Sequence, residues 1–426
     1  MNKAVISNRI YLTRTDELHD NLMQNLVYKI PPSRPKAPVI TLCDVTRINR
    51  DILSIPVGRP DLIPNDYEVI DKRVFNEVTF PKFKATLRES QQIIYDAAID
   101  SCIINANAGY GKTFTGISIA TKFKQKTLVI VNTLFLRDQW IEEVRKTLGI
   151  EPGVISAGKF SIDSPIVIGN TQSLVKHTDK IAKLFGLVII DEVHRMPSDM
   201  FKSIVDKLRA RYKIGLSATL KRKDGKHVII KDYISPVVLK PDKDENEIRP
   251  SITRIMTDIP LSSSPLMPWA TKINKLVMNP DYMDLIIELA LAKAKQGHKV
   301  LVLGDRVDFL QECSDFTERS VCIVGTTKNR MDVIQGLYND DYDIIYGSIS
   351  IFKEGISVNP LSCLILGNPV NNVPMLEQVI GRVTRPHLDK FTSEVIDIVL
   401  TGNTARNQAN ARLNYYINKG YKVRDI

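Results

Sequence analysis

Two short segments carry residue types that could act on a chain of phosphates. The first, ANAGYGKT (Ala106 to Thr113), follows the apolar run Cys102 to Ile104 and leads into the helical pattern TFTGISIATKF. A strand, a glycine loop and a helix in that order turn backbone N–H groups and the positive helix end toward an anion. Gly109 and Gly111 allow the curl, and Ala108 lies within it. Lys112 can then reach the β- and γ-phosphates of ATP, and the Thr113 hydroxyl can face magnesium. Ala106 stands where such loops usually begin with glycine. A bare Gly-Lys-Thr would mark an ordinary turn; the flanking strand and helix favour the phosphate reading.

The second segment, LVIIDEVH (Leu187 to His194), ends an apolar strand with two adjacent acids. Burying both is costly unless a cation meets them. Asp191 suits magnesium through its water shell, and Glu192 is placed to orient and deprotonate a water for in-line attack. A capping Asp-Glu on a solvated helix is the rival reading, weakened by the phosphate loop upstream. His194 is either a structural histidine or a sensor of the γ-phosphate through a polar network.

In the second half, QVIGRVTR (Gln378 to Arg385) sets Arg382 and Arg385 three residues apart, on one face if the segment is helical. Two guanidiniums in a cleft could stabilise charge on a transferred phosphate. On their own they would read as a solvated surface pair.

The elements that must hold these residues alternate short apolar runs with amphipathic stretches. TLVIV at 127–131, PIVIG at 165–169 and LVIID at 187–191 predict one parallel α/β sheet. KVLVL at 299–303, SVCIV at 320–324, YDIIYG at 342–347, CLILG at 363–367 and EVIDIVL at 394–400 predict a second. The expected division is an N-terminal α+β accessory domain over 1–80, α/β domains over 81–240 and 281–426, and a connector over 241–280 rich in Asp, Lys, Ser and Pro. The accessory part has a possible strand near Asn8 to Leu12 and a helical pattern from Asp16 to Tyr28, then the Pro-rich PPSRPKAP.

With 426 residues, 43% of them hydrophobic, the chain is long enough for two or three cores. The formal charge of +10 favours a polyanionic partner. Five scattered cysteines lack metal-ligand spacing, which argues against a zinc site or a disulfide framework. Neither a signal-peptide pattern nor a long apolar run is evident, so a soluble cytoplasmic protein without membrane contact is expected. Its oligomeric state stays open, a monomer being compatible.

The ordered motifs over roughly Pro81 to Leu400 resemble those of the superfamily 2 helicases and translocases. LRESQ (Leu87 to Gln91) is similar to their adenine-reading element, which implies Arg88 and Gln91 as nucleotide contacts. NTLFLRDQW and GNTQSL resemble strand-tracking motifs. GLSAT resembles the motif coupling hydrolysis to movement, which implies a coupling role for Ser217 and Thr219 with His194. VLVLGDRVDFL, SISIFKEGIS and QVIGRVTR fill the remaining places. The resemblance implies two RecA-like domains, with nucleic acid running across both and ATP in the cleft. It implies Gln378 at the γ-phosphate, Arg382 and Arg385 as arginine fingers, and Gly355 as a link between the two sites. LRESQ, the basic loop LKRKDGKH and EGISVNPL are most similar to the group containing XPB and the phage UvsW-type enzymes, which remodel forks and branched junctions. Asn170 and Ser357 depart from the residues many relatives carry.

Residues fitted to a nucleic-acid backbone are amides, hydroxyls and basic side chains at loop ends. Asn132, Thr133, Arg137, Thr171, Gln172, Arg306 and Lys353 lie in the matched motifs. The basic run Lys221, Arg222, Lys223, Lys226 and His227 could engage a second strand, or be a solvated loop. Phe135, Trp140 or Phe352 could stack on bases, although each fits a core equally well. A DNA-directed motor is expected; an RNA helicase and a nucleotide-switched binding module without motor activity are the alternatives.

Overall fold

Alternating apolar residues at the N-terminus, Ala4, Ile6, Ile10 and Leu12, pack with Leu18, Leu22 and Leu26 into a small core of their own. This computed structural model describes residues 2–30, 38–107, 109–195, 198–220, 225–242, 248–264, 266–328, 330–353, 358, 360–370, 372–384 and 392–426. The first strands are β1 (Lys3–Ile6) and β2 (Arg9–Thr13). Helix α1 (Asp16–Leu26) starts where the Thr15 side chain accepts from the Leu18 N–H, and its i, i+4 leucines face the core. β3 (Val27–Ile30) pairs antiparallel with β4 (Ile40–Cys43). β5 (Thr46–Arg47), β6 (Ile52–Pro56) and β7 (Glu68–Asp71) complete a sheet of order β5-β6-β2-β1-β7.

Next come α2 (Glu89–Ala97), β8 (Cys102–Asn105), α3 (Lys112–Phe123), β9 (Thr127–Val131) and α4 (Leu134–Leu148). They are followed by β10 (Gly153–Ser156), β11 (Lys159–Ser161), β12 (Ile166–Asn170), α5 (Thr171–Leu174) and α6 (Thr178–Ile181). β13 (Leu187–Asp191), α7 (Asp199–Val205), β14 (Tyr212–Ser217), α8 (Ile230–Tyr233) and β15 (Val238–Leu239) close the unit. The sheet order is β11-β10-β12-β9-β13-β14-β8-β15, parallel except for β11. β9 and β13 are buried at every position, as strands covered by helices on both faces must be.

The accessory domain meets this sheet domain through paired polar groups. Arg9 bridges to Asp206 at 3.0 Å. Asp44 accepts from the Tyr233 hydroxyl and the Lys202 ammonium, each at 2.8 Å. Asp232 accepts from the Tyr28 hydroxyl at 2.8 Å and from Arg59 at 3.2 Å. Gly58 donates its N–H to the Asp232 carbonyl, and a Cβ there would lie 2.5 Å from that oxygen, so only glycine fits.

The chain divides into compact units spanning 1–244 and 245–426. The second contains β16 (Ser251–Pro260), α9 (Trp269–Val277), α10 (Pro280–Lys295), β17 (Lys299–Gly304), α11 (Val307–Asp315) and β18 (Ser320–Ile323). It continues with α12 (Arg330–Tyr338), β19 (Ile344–Ser348), α13 (Ile349–Lys353), β20 (Leu361–Leu366), α14 (Val373–Val383), β21 (Glu394–Thr401), α15 (Asn403–Asn418) and β22 (Lys422–Asp425). All pairings in its sheet, β18-β19-β17-β20-β21-β16-β22, are parallel. Both large sheets are therefore the parallel α/β layers that the sequence predicts. The stretch 241–280 differs from the expected connector: β16 lies between β21 and β22, and α9 packs on α10. Thr253 and Arg254, polar yet buried, and the exposed Asp258 and Pro260 interrupt the apolar run by which a reading of composition would find β16. Among the described residues no helix is long and apolar enough to cross a membrane.

Replacing Asp44 with Ala would strand the buried Tyr233 hydroxyl and should cost about 1–3 kcal/mol, read as a lower urea midpoint; an unchanged midpoint would show that this contact does not hold the domain. Burial raises the Asp232 carboxyl to about 6, despite bonds from Tyr28 and Arg59. With the folded value above the unfolded one, its stabilising contribution is full below the ordinary carboxylate range and is lost as pH rises through about 6. Asp232→Asn should consequently gain stability relative to wild type between about pH 4 and 6. Urea midpoints across that window would reveal it; a difference independent of pH would contradict the raised value.

Candidate functional site

The phosphate loop leaves β8 and enters α3 with Gly109 at φ +91° and Gly111 at φ +87°, a left-handed geometry that favours glycine. The Lys112 ammonium folds back onto the carbonyls of Ala106 and Asn107, both at 2.9 Å. Thr113 follows in the first turn of α3. Ala108 lies outside the described residues. Gln91 is almost fully buried: its Oε1 accepts from the Arg88 N–H at 3.1 Å and its Nε2 donates to the Tyr110 carbonyl at 2.9 Å. The Arg88 guanidinium reaches the same carbonyl. Arg88 and Gln91 thus clamp the loop itself, a role that motif order alone does not reveal. The clamp is close, since a Cβ on Gly111 would lie 2.7 Å from Gln91 Nε2.

β13, one strand removed from β8 across β14, ends in Asp191, 6% exposed. Its Oδ2 accepts from the Trp140 indole at 2.9 Å and its Oδ1 from the Glu192 N–H at 2.9 Å. Burial and the adjacent Glu192 charge push the Asp191 carboxyl well above the usual carboxylate range. Glu192 is turned away by a left-handed φ of +51°, costly for a residue with a Cβ. Burial would raise its carboxyl too, but the His194 contact and the charges of Lys112, His194 and Arg195 outweigh it and hold Glu192 low. Its Oε2 lies 3.1 Å from His194 Nδ1, which in turn is 3.0 Å from the Ser217 Oγ. The Ser217 hydroxyl donates to the Thr219 carbonyl at 2.6 Å. The same His194 nitrogen therefore stands between Glu192 and Ser217, one of the residues expected to couple hydrolysis to movement.

Two adjacent buried acids, one with its proton affinity raised, form a site that a divalent cation would relieve. Magnesium is usually held by one or two carboxylates together with water and phosphate oxygens, a donor set that Asp191 at a phosphate loop fits. Asp191 and Thr113 would hold that ion, which when bound would offset charge on the phosphates.

The residues expected on the nucleic-acid side gather on adjoining strands of the same sheet. Asn132 and Thr133 follow β9, and Thr171 and Gln172 follow β12, its parallel neighbour. Thr133 caps α4 by accepting from the Leu136 N–H, and the Asn132 Oδ1 is buried without a hydrogen-bond partner among the described residues. Arg137 donates to the Ser156 Oγ at 3.0 Å and pairs with Asp138. Asn170, the departure from the family pattern, caps α5 by accepting from the Gln172 N–H at 3.1 Å. Trp140 and Phe352 are fully buried and cannot stack on a base; Phe135 is half-buried.

In the second unit, Arg306 donates to the Asn274 side chain at 2.6 Å and to the Ala270 carbonyl at 3.1 Å, which joins α9 to the start of α11. Gln378 and Arg382 sit one turn apart on α14, both largely buried. α14 ends at Val383, before Arg385, which lies outside the described residues together with Gly355, Ser357, Lys221, Arg222, Lys223 and the Lys353 side chain. Lys226 and His227 open a short 3-10 helix after the left-handed Gly225.

A phosphate loop and an acid pair at the strand ends of one parallel sheet make a nucleotide-hydrolysing site, and a second parallel-sheet unit follows it in the chain. Residues 84–222 match the family described as type III restriction enzyme, res subunit, and residues 281–387 match the helicase conserved C-terminal domain. The chain is 39% identical over 431 residues to "Probable helicase D10" of Escherichia phage T5, covering 99% of this chain and 95% of that protein. It is 32% identical over 180 residues to "DNA 3'-5' translocase XPB2" of Sulfurisphaera tokodaii, 41% of each. The solved structure of Saccharomyces cerevisiae Dbp5 bound to RNA and ADP BeF3 shares the fold, with a TM-score of 0.59, 12% identity, and coverage of 79% of this chain and 89% of that one. The chain is an ATP-hydrolysing nucleic-acid helicase of superfamily 2, with an XPB translocase among its relatives.

Glu192→Gln preserves shape and removes the base. It should lower kcat for ATP hydrolysis by about 10²- to 10⁴-fold with nucleotide binding retained. Turnover at the wild-type rate would exclude Glu192 as the base.

Proposed function

We propose that the chain is a magnesium-dependent DNA motor that remodels forked or branched duplex in recombination, repair or replication. The observation that carries this reading is the division of one sheet edge. β8, β13 and β14 end in the nucleotide residues, and β9, β12 and β10 end in Asn132, Thr133, Thr171, Gln172 and the Ser156 anchor of Arg137. Neighbouring strands can thereby carry both halves of an ATP-driven strand grip. Lys112, Thr113, Asp191 and Glu192 serve nucleotide, magnesium and attacking water. Gln378, Arg382 and Arg385 act on the γ-phosphate, Gly355 links the sites, and Arg306 and Lys353 continue the backbone track.

DNA is favoured over RNA because LRESQ, the basic run after the coupling motif and EGISVNPL follow the XPB and UvsW pattern. The accessory domain adds a surface for duplex or junction arms. Its polar seam with the motor makes the surface a fixed part of the first unit.

A panel of single strands, duplexes, forks, four-way junctions and RNA tests the proposal through stimulated ATPase. Forks or junctions should stimulate most. Best stimulation by RNA would establish the rival substrate, and turnover unaffected by every nucleic acid would leave a nucleotide switch.

A further inference from the structure

Trp140 is completely buried in the middle of α4, seven residues after the Thr133 cap. Seven residues are two helical turns, so the indole hangs from the same face as the helix start, about 10 Å farther along. A buried indole N–H needs an acceptor, and a backbone carbonyl would suffice. Here the acceptor is Asp191 Oδ2, 51 positions away in sequence. The other oxygen of Asp191 is held by the Glu192 N–H, so the plane of the carboxylate is fixed from both sides. A hydrogen bond to a charged acceptor is roughly twice as strong as a neutral one.

The far edge of the same indole presses on the helix after the phosphate loop. A Cβ built on Gly116 of α3 would lie 3.0 Å from Trp140 Cη2, closer than a side chain is normally accommodated. Trp140 thereby touches both the phosphate-loop helix and the acid expected to hold magnesium, while belonging to the helix whose first turn is expected to meet nucleic acid. A leucine or phenylalanine could fill this space, but neither could donate to Asp191.

The geometry points to Trp140 as a positioning residue that sets the Asp191 carboxylate for magnesium and makes α4 and the nucleotide site one mechanical unit, linking nucleic-acid affinity to magnesium-nucleotide affinity. The linkage half rests on the proposed nucleic-acid role of the α4 start; the magnesium half does not. By reciprocity, DNA must strengthen nucleotide binding by the same factor that nucleotide strengthens DNA binding. Removing the indole donor should reduce that factor in both directions.

Trp140→Phe in the full chain tests this with a fluorescent ATP analogue and no turnover. Without nucleic acid, the magnesium concentration for half-maximal tight nucleotide binding should rise about 10- to 100-fold, the usual effect of losing a group that orients a metal ligand. Nucleotide binding without magnesium should be unchanged. With single-stranded DNA, the linkage factor should fall toward one while the affinity of nucleotide-free protein for DNA stays near wild type. Wild-type magnesium dependence together with wild-type linkage would overturn the inference. Absence of linkage in wild type would instead sink the nucleic-acid reading of α4, and the magnesium titration would still decide the role of the indole.

A second variant guards against misfolding. The chain has two tryptophans, so Trp269→Phe, an exposed change, leaves Trp140 as sole reporter. Its emission should shift on adding magnesium with nucleotide and, separately, on adding DNA; silence to both would refute the assignment.

Discussion

The constraint on which the motor core depends is the burial of two adjacent carboxylates at the end of β13. A lone buried carboxylate is expensive, and two in sequence repel each other as well. The fold separates them by direction. Asp191 continues the strand and is held by Trp140 and the Glu192 amide; Glu192 is swung by its left-handed backbone toward His194. One acid is left with a raised proton affinity that a cation would reverse, and the other stays ionised as a base requires. The strained turn thus gives two identical chemical groups opposite proton affinities.

That division organises the surrounding sheet. Ser217 at the end of β14 receives His194, and the Ala106 N–H at the start of the phosphate loop donates to the Ser217 carbonyl at 3.1 Å. The phosphate loop, His194 and Ser217 are therefore tied by short bonds between adjacent strands. A single imidazole nitrogen stands between Glu192 and Ser217. The phosphate loop is held from its other side by Gln91 and Arg88 at the Tyr110 carbonyl. Its glycine geometry is maintained from both flanks.

Much of this was legible in the sequence because chemistry that needs a strand end announces itself locally. TLVIV and LVIID coincide with β9 and β13, and the order of motifs gives the two parallel sheets. What was hidden depends on partners distant in sequence. Nothing near Trp140 signals Asp191, and nothing in LRESQ shows that Gln91 spends its amide on the loop. β16 is illegible in the sequence because its buried stretch includes the polar Thr253 and Arg254 and its outer half includes Asp258 and Pro260. Asn170 looked like a departure from a binding motif, yet a short helix needs a side-chain acceptor at that point. In each case long-range packing chose the role, and local pattern named only the residue type.

The seam between the accessory domain and the sheet domain follows a different logic from the cores. Each domain has its own apolar cluster, and Tyr28 and Leu42 pack against that of the sheet domain, but the polar groups joining them are Arg9 with Asp206, Asp44 with Tyr233 and Lys202, and Asp232 with Tyr28 and Arg59. Buried ion pairs give little net stability compared with apolar packing, but a mismatched register would leave charges unpaired at a cost of several kcal/mol, about 3–5 for a broken pair. The apolar contacts of Tyr28 and Leu42 alone would tolerate sliding; the paired polar groups penalise it. Two of the anchors, Asp232 and Tyr233, lie on α8, downstream of the coupling motif in the same unit. The accessory domain is accordingly fixed in register on the element that follows Ser217 and Thr219, and its polar contacts specify where it sits more than how tightly it is held.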